Sequence, residues 1–110
     1  MPATIEIESN DRICHIRLNR VKQMNSLSFE LMDELSAALR EADADDAIRV
    51  VVLGHNGAHF GAGYDLNADW AGRFGTETAI GARDMLRACR AFEFGPWDCS
   101  KPVVAMVRGY

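Results

Sequence analysis

Two apolar runs constrain the fold more than anything else in the chain. Ile48 to Gly54 reads IRVVVLG and Val103 to Val107 reads VVAMV. Both are rich in β-branched residues, and neither alternates apolar with polar, the pattern of strands covered on both faces in a parallel sheet. Parallel neighbours cannot be joined by a tight hairpin, so a crossover must lie between them. The intervening segment supplies one, because Ala82, Leu86, Cys89 and Phe92 recur at helical spacing. Strand, helix and strand make a βαβ unit with a right-handed connection.

The N-terminal part reads differently. Thr4 to Glu8 alternates Ile5 and Ile7 with glutamates, SNDR supplies turn chemistry, and Ile13 to Leu18 places Cys14, Ile16 and Leu18 on one face. This is an opening hairpin with one wet face, and His15 falls on that polar, solvated side. From Ser28 the period changes, with Leu31, Met32, Leu35, Ala38, Leu39 and Ala42 at three- and four-residue steps. Ser28 suits the N-cap of that amphipathic helix, whose end is set by ADADD. The second apolar strand is followed within a few residues by RGY with no covering helix, so the 110 residues are expected to form the N-terminal part of a single larger α/β domain.

Composition removes several classes of function. A hydrophobic fraction of 48% with 25% charged residues is that of a globular domain able to close a core. Twelve Lys and Arg against sixteen Asp and Glu give a net charge of -4 with no basic stripe, so a nucleic-acid surface has no electrostatic footprint. The longest uncharged apolar run falls far short of the ~20 residues of a membrane span. MPATIEIESN has neither the basic nor the apolar region of a secretory leader. The expectation is a cytoplasmic protein without membrane or nucleic-acid partners, its three cysteines, Cys14, Cys89 and Cys99, reduced and packed as small hydrophobes. Trp70 and Trp97 are expected in the core or between subunits.

The stretch richest in chemistry is HFGAGYDL, His59 to Leu66, shortly after the first apolar strand. Open α/β sheets bind ligands at the carboxyl ends of their strands, and glycines there let the backbone approach and present its amides. An amide aimed at a thioester or ester oxygen stabilises the oxyanion that develops in acyl chemistry. A dinucleotide fingerprint does not fit, since Leu66 stands where its last glycine belongs and the loop comes too late after the strand; no GxxxxGK exists. His55 and His59 are four apart, but NGA between them argues a turn, and no third ligand is defined. No metal is expected.

Three ordered motifs, HIRLNRVKQMNSL, VVVLGHNGAHFGAGYDL and KPVVAMVRGY, resemble the N-terminal half of the crotonase superfamily, best known for enoyl-CoA hydratases and isomerases. The resemblance covers nearly the whole chain. It implies an α/β crotonase-like (ClpP/crotonase) fold, a twisted, mostly parallel sheet with flanking helices, cut before the fold is complete. It implies acyl-CoA thioester chemistry through an oxyanion-stabilised enolate, with hydration of a trans-2-enoyl-CoA foremost. Isomerase, hydrolase, dehalogenase and decarboxylase reactions, or a non-catalytic fragment with half a site, are the alternatives. No separate cofactor is implied, coenzyme A being part of the substrate, and the whole protein is expected to form a homotrimer or a dimer of trimers.

Residue by residue, the resemblance assigns the backbone N–H of Tyr64 as the first oxyanion donor. Ala62 and Gly63 shape the loop, with Ala62 beside the adenine of coenzyme A, and Asp65 and Leu66 complete the binding stretch. Lys22 falls where relatives place a base near the CoA phosphates, or is a solvated loop lysine. Asp65 reads as a helix N-cap rather than a catalytic acid. Val21 departs from a usual proline, which loosens its loop, and Gly61 from a usual Ser, Ala or Cys. At Tyr64 the family side chain varies, and the phenol reads as a pocket wall rather than an acid. The second oxyanion amide and two acidic residues belong after the Arg108–Gly109–Tyr110 sequence. Glu77 and Glu93 match no motif and read as solvated carboxylates.

Overall fold

The computed structural model describes residues 3–110. Strands β1 (Ile5–Asn10) and β2 (Ile13–Leu18) pair antiparallel, from Ile5 opposite Leu18 to Asn10 opposite Ile13. Asp11 and Arg12 make the two-residue turn at φ 48° and 67°, the positive values a tight hairpin requires at both positions. Cys14, Ile16 and Leu18 face inward and are buried, whereas His15 is half-buried on the other face.

Helix α1 spans Phe29–Ala44, and the Ser28 hydroxyl accepts a hydrogen bond from the Leu31 amide at 3.1 Å. The side chains it buries are Leu31, Met32, Leu35, Ala38, Leu39 and Ala42, the six positions marked by the sequence spacing. Burying each large apolar side chain of this stripe is worth roughly 1.5–3 kcal/mol. All of them but Met32 close on Ile5, Cys14, Ile16, Leu18, Ile48, Val51 and Leu53 to form the core.

Strand β3 (Val50–His55) runs parallel to β2, and β4 (Val103–Ala105) runs parallel to β3, giving one four-stranded sheet in the order β1-β2-β3-β4. The expected parallel βαβ pairing is present. Coverage of both sheet faces is not. Val51 and Leu53 are buried against α1, but Val50 and Val52 on the opposite face are only half-buried and Val104 is exposed. The reason lies in the crossover helix α3 (Ala79–Glu93), which packs beside the short helices α2 (Trp70–Phe74) and α4 (Gly95–Asp98) instead of lying over the strands. Its apolar stripe is consequently uneven: Ala82, Cys89 and Phe92 are half-buried while Leu86 is 64% exposed. Trp97 on α4 is 82% exposed and is not a core residue.

One buried amide side chain joins three separate segments at the upper end of the sheet. After the 3-10 turn Val21–Gln23, Met24 and Asn25 adopt left-handed backbone at φ 52° and 54°. This turns the Asn25 side chain inward, where it is 1% exposed. Its Oδ1 accepts from the Arg20 amide at 2.7 Å, and its Nδ2 donates to the carbonyls of Asn56 at 3.0 Å and His59 at 2.9 Å. Asn25→Asp puts a carboxylate against those two carbonyl oxygens. It is expected to destabilise the fold by about 3 kcal/mol or more, read as a lower midpoint in urea unfolding with unchanged slope, because a buried polar group left unpaired bears its full desolvation cost.

Candidate functional site

The loop Phe60 to Asp65 is clamped from two sides by backbone hydrogen bonds. On one side the Ala62 amide donates to the Met24 carbonyl at 3.1 Å, the Leu27 amide to the Gly63 carbonyl at 2.8 Å, and the Asp65 amide to the Leu27 carbonyl at 3.0 Å. On the other, the Phe60 and Gly61 amides donate to the carbonyls of Arg108 and Tyr110, both at 3.0 Å. Two imidazoles tighten this second seam. His55 Nε2 accepts from the Arg108 amide and His59 Nδ1 from the Tyr110 amide, each at 3.1 Å, with the His59 and Tyr110 rings stacked at 4.6 Å. The close approach needs glycine at position 109, which has φ 68° and where a Cβ would lie 2.4 Å from both the Ala58 carbonyl oxygen and His59 Nδ1. Both histidines that the sequence paired as weak ligand candidates therefore serve the backbone.

In this loop the amides of Phe60, Gly61, Ala62 and Asp65 are spent on carbonyls, whereas those of Gly63 and Tyr64 bond nothing among the described residues. The orientation of the Tyr64 amide follows from the peptide before it. That unit is trans and planar, so its C=O and N–H point in opposite directions. With the Gly63 carbonyl bonded to Leu27, the Tyr64 N–H is aimed away from Leu27. Gly63 itself sits at φ 90° with open space around the position a Cβ would take. The result is an amide donor fixed in direction without an acceptor, close beyond the carboxyl end of β3. Such a group meets a developing oxyanion without first reorienting.

The Tyr64 side chain is anchored as well. Its ring lies edge-on to Trp70 at 5.4 Å and 88°, and its hydroxyl donates to Glu93 Oε2. Glu93 is exposed, as expected of a solvated carboxylate, and is also tied to the loop. Burial foremost, then the Glu93 carboxylate and the Cys89 thiol, push the phenol above its ordinary value, so it stays protonated at neutral pH and is a poor acid. Trp70 packs edge-on to Phe29 at 4.9 Å and stacks on Phe74 at 6.0 Å, and its indole N–H donates to the Asp65 carbonyl at 2.9 Å.

Asp65 is not a helix N-cap. Asp69 takes that role, accepting from the Gly72 amide at 2.9 Å at the start of α2. Asp65 instead pairs with Arg20 at 3.4 Å, both side chains mostly buried, and accepts from the Asn67 amide at 2.9 Å. The turn this makes interposes residues 66–68 before the helix, so its carboxylate cannot reach first-turn amides. The Arg20 guanidinium also donates to the Ser26 carbonyl, tying the 20–27 segment to the loop.

The structure brings Gly63, Tyr64 and Asp65 together against Leu27, with Ala62 exposed beside them. Lys22 stands exposed on the 3-10 turn leading to Met24, its ammonium unpaired among the described residues, and Leu66 is 91% exposed. Cys14 is buried as expected; Cys89 and Cys99 are half-buried free thiols, and burial pushes Cys99 upward, away from reactive thiolate. Asn25 and Leu27 were not singled out from the sequence, and Glu93 was read there as a solvated carboxylate only. Asn25 and Leu27 both lie inside HIRLNRVKQMNSL, but Leu27 acts through its backbone and Glu93 through a contact across 29 residues, neither of which leaves a local signal.

The family model for Enoyl-CoA hydratase/isomerase matches residues 8–110. A probable enoyl-CoA hydratase of Rhizobium meliloti (strain 1021) is 32% identical over 97% of the chain and 39% of its own length. Enoyl-CoA delta isomerase 2 of Homo sapiens is 34% identical over 96% of the chain and 26% of its own. The crystal structure of an enoyl-CoA hydratase/isomerase from Xanthobacter autotrophicus Py2 superposes with a TM-score of 0.87 at 32% identity, covering 99% of this chain and 40% of that one. The chain thus spans about two fifths or less of the length of these relatives. No helix among the described residues is long and apolar enough to cross a membrane. Because the matched region runs from the opening hairpin through the clamped loop to the seam at Tyr110, the chain belongs to the enoyl-CoA hydratase/isomerase family, within the crotonase superfamily.

Proposed function

We propose that this chain supplies one half of an oxyanion hole acting on acyl-CoA thioesters, with the backbone N–H of Tyr64 as the donor. The observation that carries the reading is the directed, unbonded Tyr64 amide, since an amide spent on a carbonyl, like that of Ala62, is no longer available to a substrate. A preorganised donor of this kind is worth roughly 3–4 kcal/mol where charge develops on the thioester oxygen. Family membership supports the CoA thioester as the substrate class. Lys22, exposed and unpaired, is suited to a CoA phosphate as a flexible point charge. Ala62 and Gly63 line the approach, while Asp65 holds the loop through Arg20.

Hydration of a trans-2-enoyl-CoA to a 3-hydroxyacyl-CoA is the reaction favoured. Double-bond isomerisation is the second reading, favoured by the similarity to an enoyl-CoA isomerase. Both pass through an enolate and need the same amide; hydration adds the oxygen of water at C3 and a proton at C2, whereas isomerisation of a 3-enoyl thioester removes a proton from C2 and returns one at C4. Coenzyme A is part of the substrate, and no separate cofactor enters the proposal.

The whole protein is expected to bind crotonyl-CoA at least tenfold more tightly than crotonate in calorimetry, since most affinity resides in the CoA handle. Equal affinity for the two would refute the assignment. Loss of the enoyl absorbance of crotonyl-CoA is expected on turnover, and conversion of a 3-enoyl-CoA alone would select isomerisation. Tyr64→Pro removes the donor and is expected to lower kcat about 100-fold or more with CoA binding retained, whereas Tyr64→Phe keeps the amide and stays within about tenfold of wild type. A Phe variant as damaged as the Pro variant would make the phenol, not the amide, the reacting group.

A further inference from the structure

The geometry points to Glu93 as a positioning residue for the oxyanion amide, acting through the hydrogen bond it accepts from the Tyr64 phenol. This rests on the reading of the Tyr64 N–H as the donor. Leu27 fixes the peptides on both sides of Tyr64, but neither hydrogen bond is made by Tyr64 itself. The residue before it is a glycine at φ 90° with open space where a Cβ would sit, so no side-chain packing resists rotation there. The Gly63 carbonyl's bond to Leu27 directs the Tyr64 N–H, and the side chain of Tyr64 is a second handle on the donor. It is held at two points, the edge-on contact with Trp70 and the hydrogen bond to Glu93.

The anchor has a defined mounting. Glu93 is the last residue of α3, and Cys89 lies one turn before it on the same side of the helix, next to the same phenol. Trp70 is pinned in turn, its indole N–H to the Asp65 carbonyl and its ring against Phe29 and Phe74. Helix α3 fully buries only Gly81 but packs Phe92, the neighbour of Glu93, against the core, which fixes the end of the helix that carries the carboxylate. Through Glu93, the placement of α3 reaches the donor. A carboxylate accepts this bond more strongly than a neutral group, and the phenol, raised above its ordinary value, remains the donor across neutral pH.

The test uses the whole protein and acetoacetyl-CoA, whose enolate is both a chromophore and a mimic of the charge an oxyanion hole stabilises, with coenzyme A alone as the reference for the handle. Glu93→Ala is expected to weaken binding of the acetoacetyl-CoA enolate about fivefold, the worth of one modest hydrogen bond, while coenzyme A binds as in wild type and the unfolding midpoint does not move. Glu93→Gln, whose amide oxygen still accepts from the phenol, should restore enolate binding to within twofold. Tyr64→Phe should match Glu93→Ala, and the double variant should lose no more than either alone. Wild-type enolate binding in Glu93→Ala, alongside its loss in Tyr64→Pro, overturns the role of Glu93 and leaves the amide reading standing. Equal weakening of coenzyme A and acetoacetyl-CoA shows a merely structural residue and also overturns it. Enolate binding unaffected by both Glu93→Ala and Tyr64→Pro overturns the amide reading beneath the proposal.

Discussion

A single buried carboxamide holds the upper end of this sheet together. Asn25 joins the turn after β2, the exit of β3 and the loop at His59 with three hydrogen bonds. An apolar side chain of the same size would fill the space and leave one amide and two carbonyls without partners in a dry place. Those groups belong to backbone that cannot enter a regular ladder, because Met24 and Asn25 are left-handed and residues 56–61 are loop. A side chain that both accepts and donates is the economical solution, and the planar carboxamide of Asn carries an acceptor oxygen and two donor hydrogens in one group.

With that junction in place, the loop from Phe60 to Asp65 is held as firmly as a strand without being one. It donates to the Met24 and Leu27 carbonyls and accepts from the Leu27 amide on one side, and donates to the Arg108 and Tyr110 carbonyls on the other. Two imidazoles act as acceptors for the 108–110 backbone, a use of histidine that needs neither charge nor metal. His55 Nε2 accepts, so its proton sits on Nδ1, and that buried atom has no partner among the described residues. The ordering entropy of such a loop is set against its hydrogen bonds before any ligand arrives, which is the condition for a donor that need not reorganise during a reaction.

Where residues of this chain lie elsewhere than their local pattern suggests, contacts distant in sequence are the cause. Leu86 stands at helical spacing yet is exposed, and Trp97, expected in the core or between subunits, is not in the core, because α3 packs on α2 and α4, and α4 on α1. Val50, Val52 and Val104 belong to strands whose composition calls for cover on both faces, while α1 covers one. Asp65 has the right identity for a cap but is drawn to Arg20, across 45 residues of sequence. In each instance the local pattern records what a residue is fit for, and distant elements determine whether that fitness is used.

What the sequence by itself determined is the set of periodic elements and their order. The hairpin face of Cys14, Ile16 and Leu18, the six buried positions of α1 and its Ser28 cap, and the parallel pairing of the two β-branched runs are all consequences of short-range periodicity. The motif around HFGAGYDL marked the loop and singled out Tyr64 through its resemblance to a family. What only the tertiary structure decided is which amides of that loop remain unbonded, which way the Tyr64 N–H points, and that Glu93 meets the phenol. Periodicity and motif are properties of neighbours in the chain, whereas a hydrogen bond left unmade is a property of everything that comes near it in space, and no local pattern can contain that.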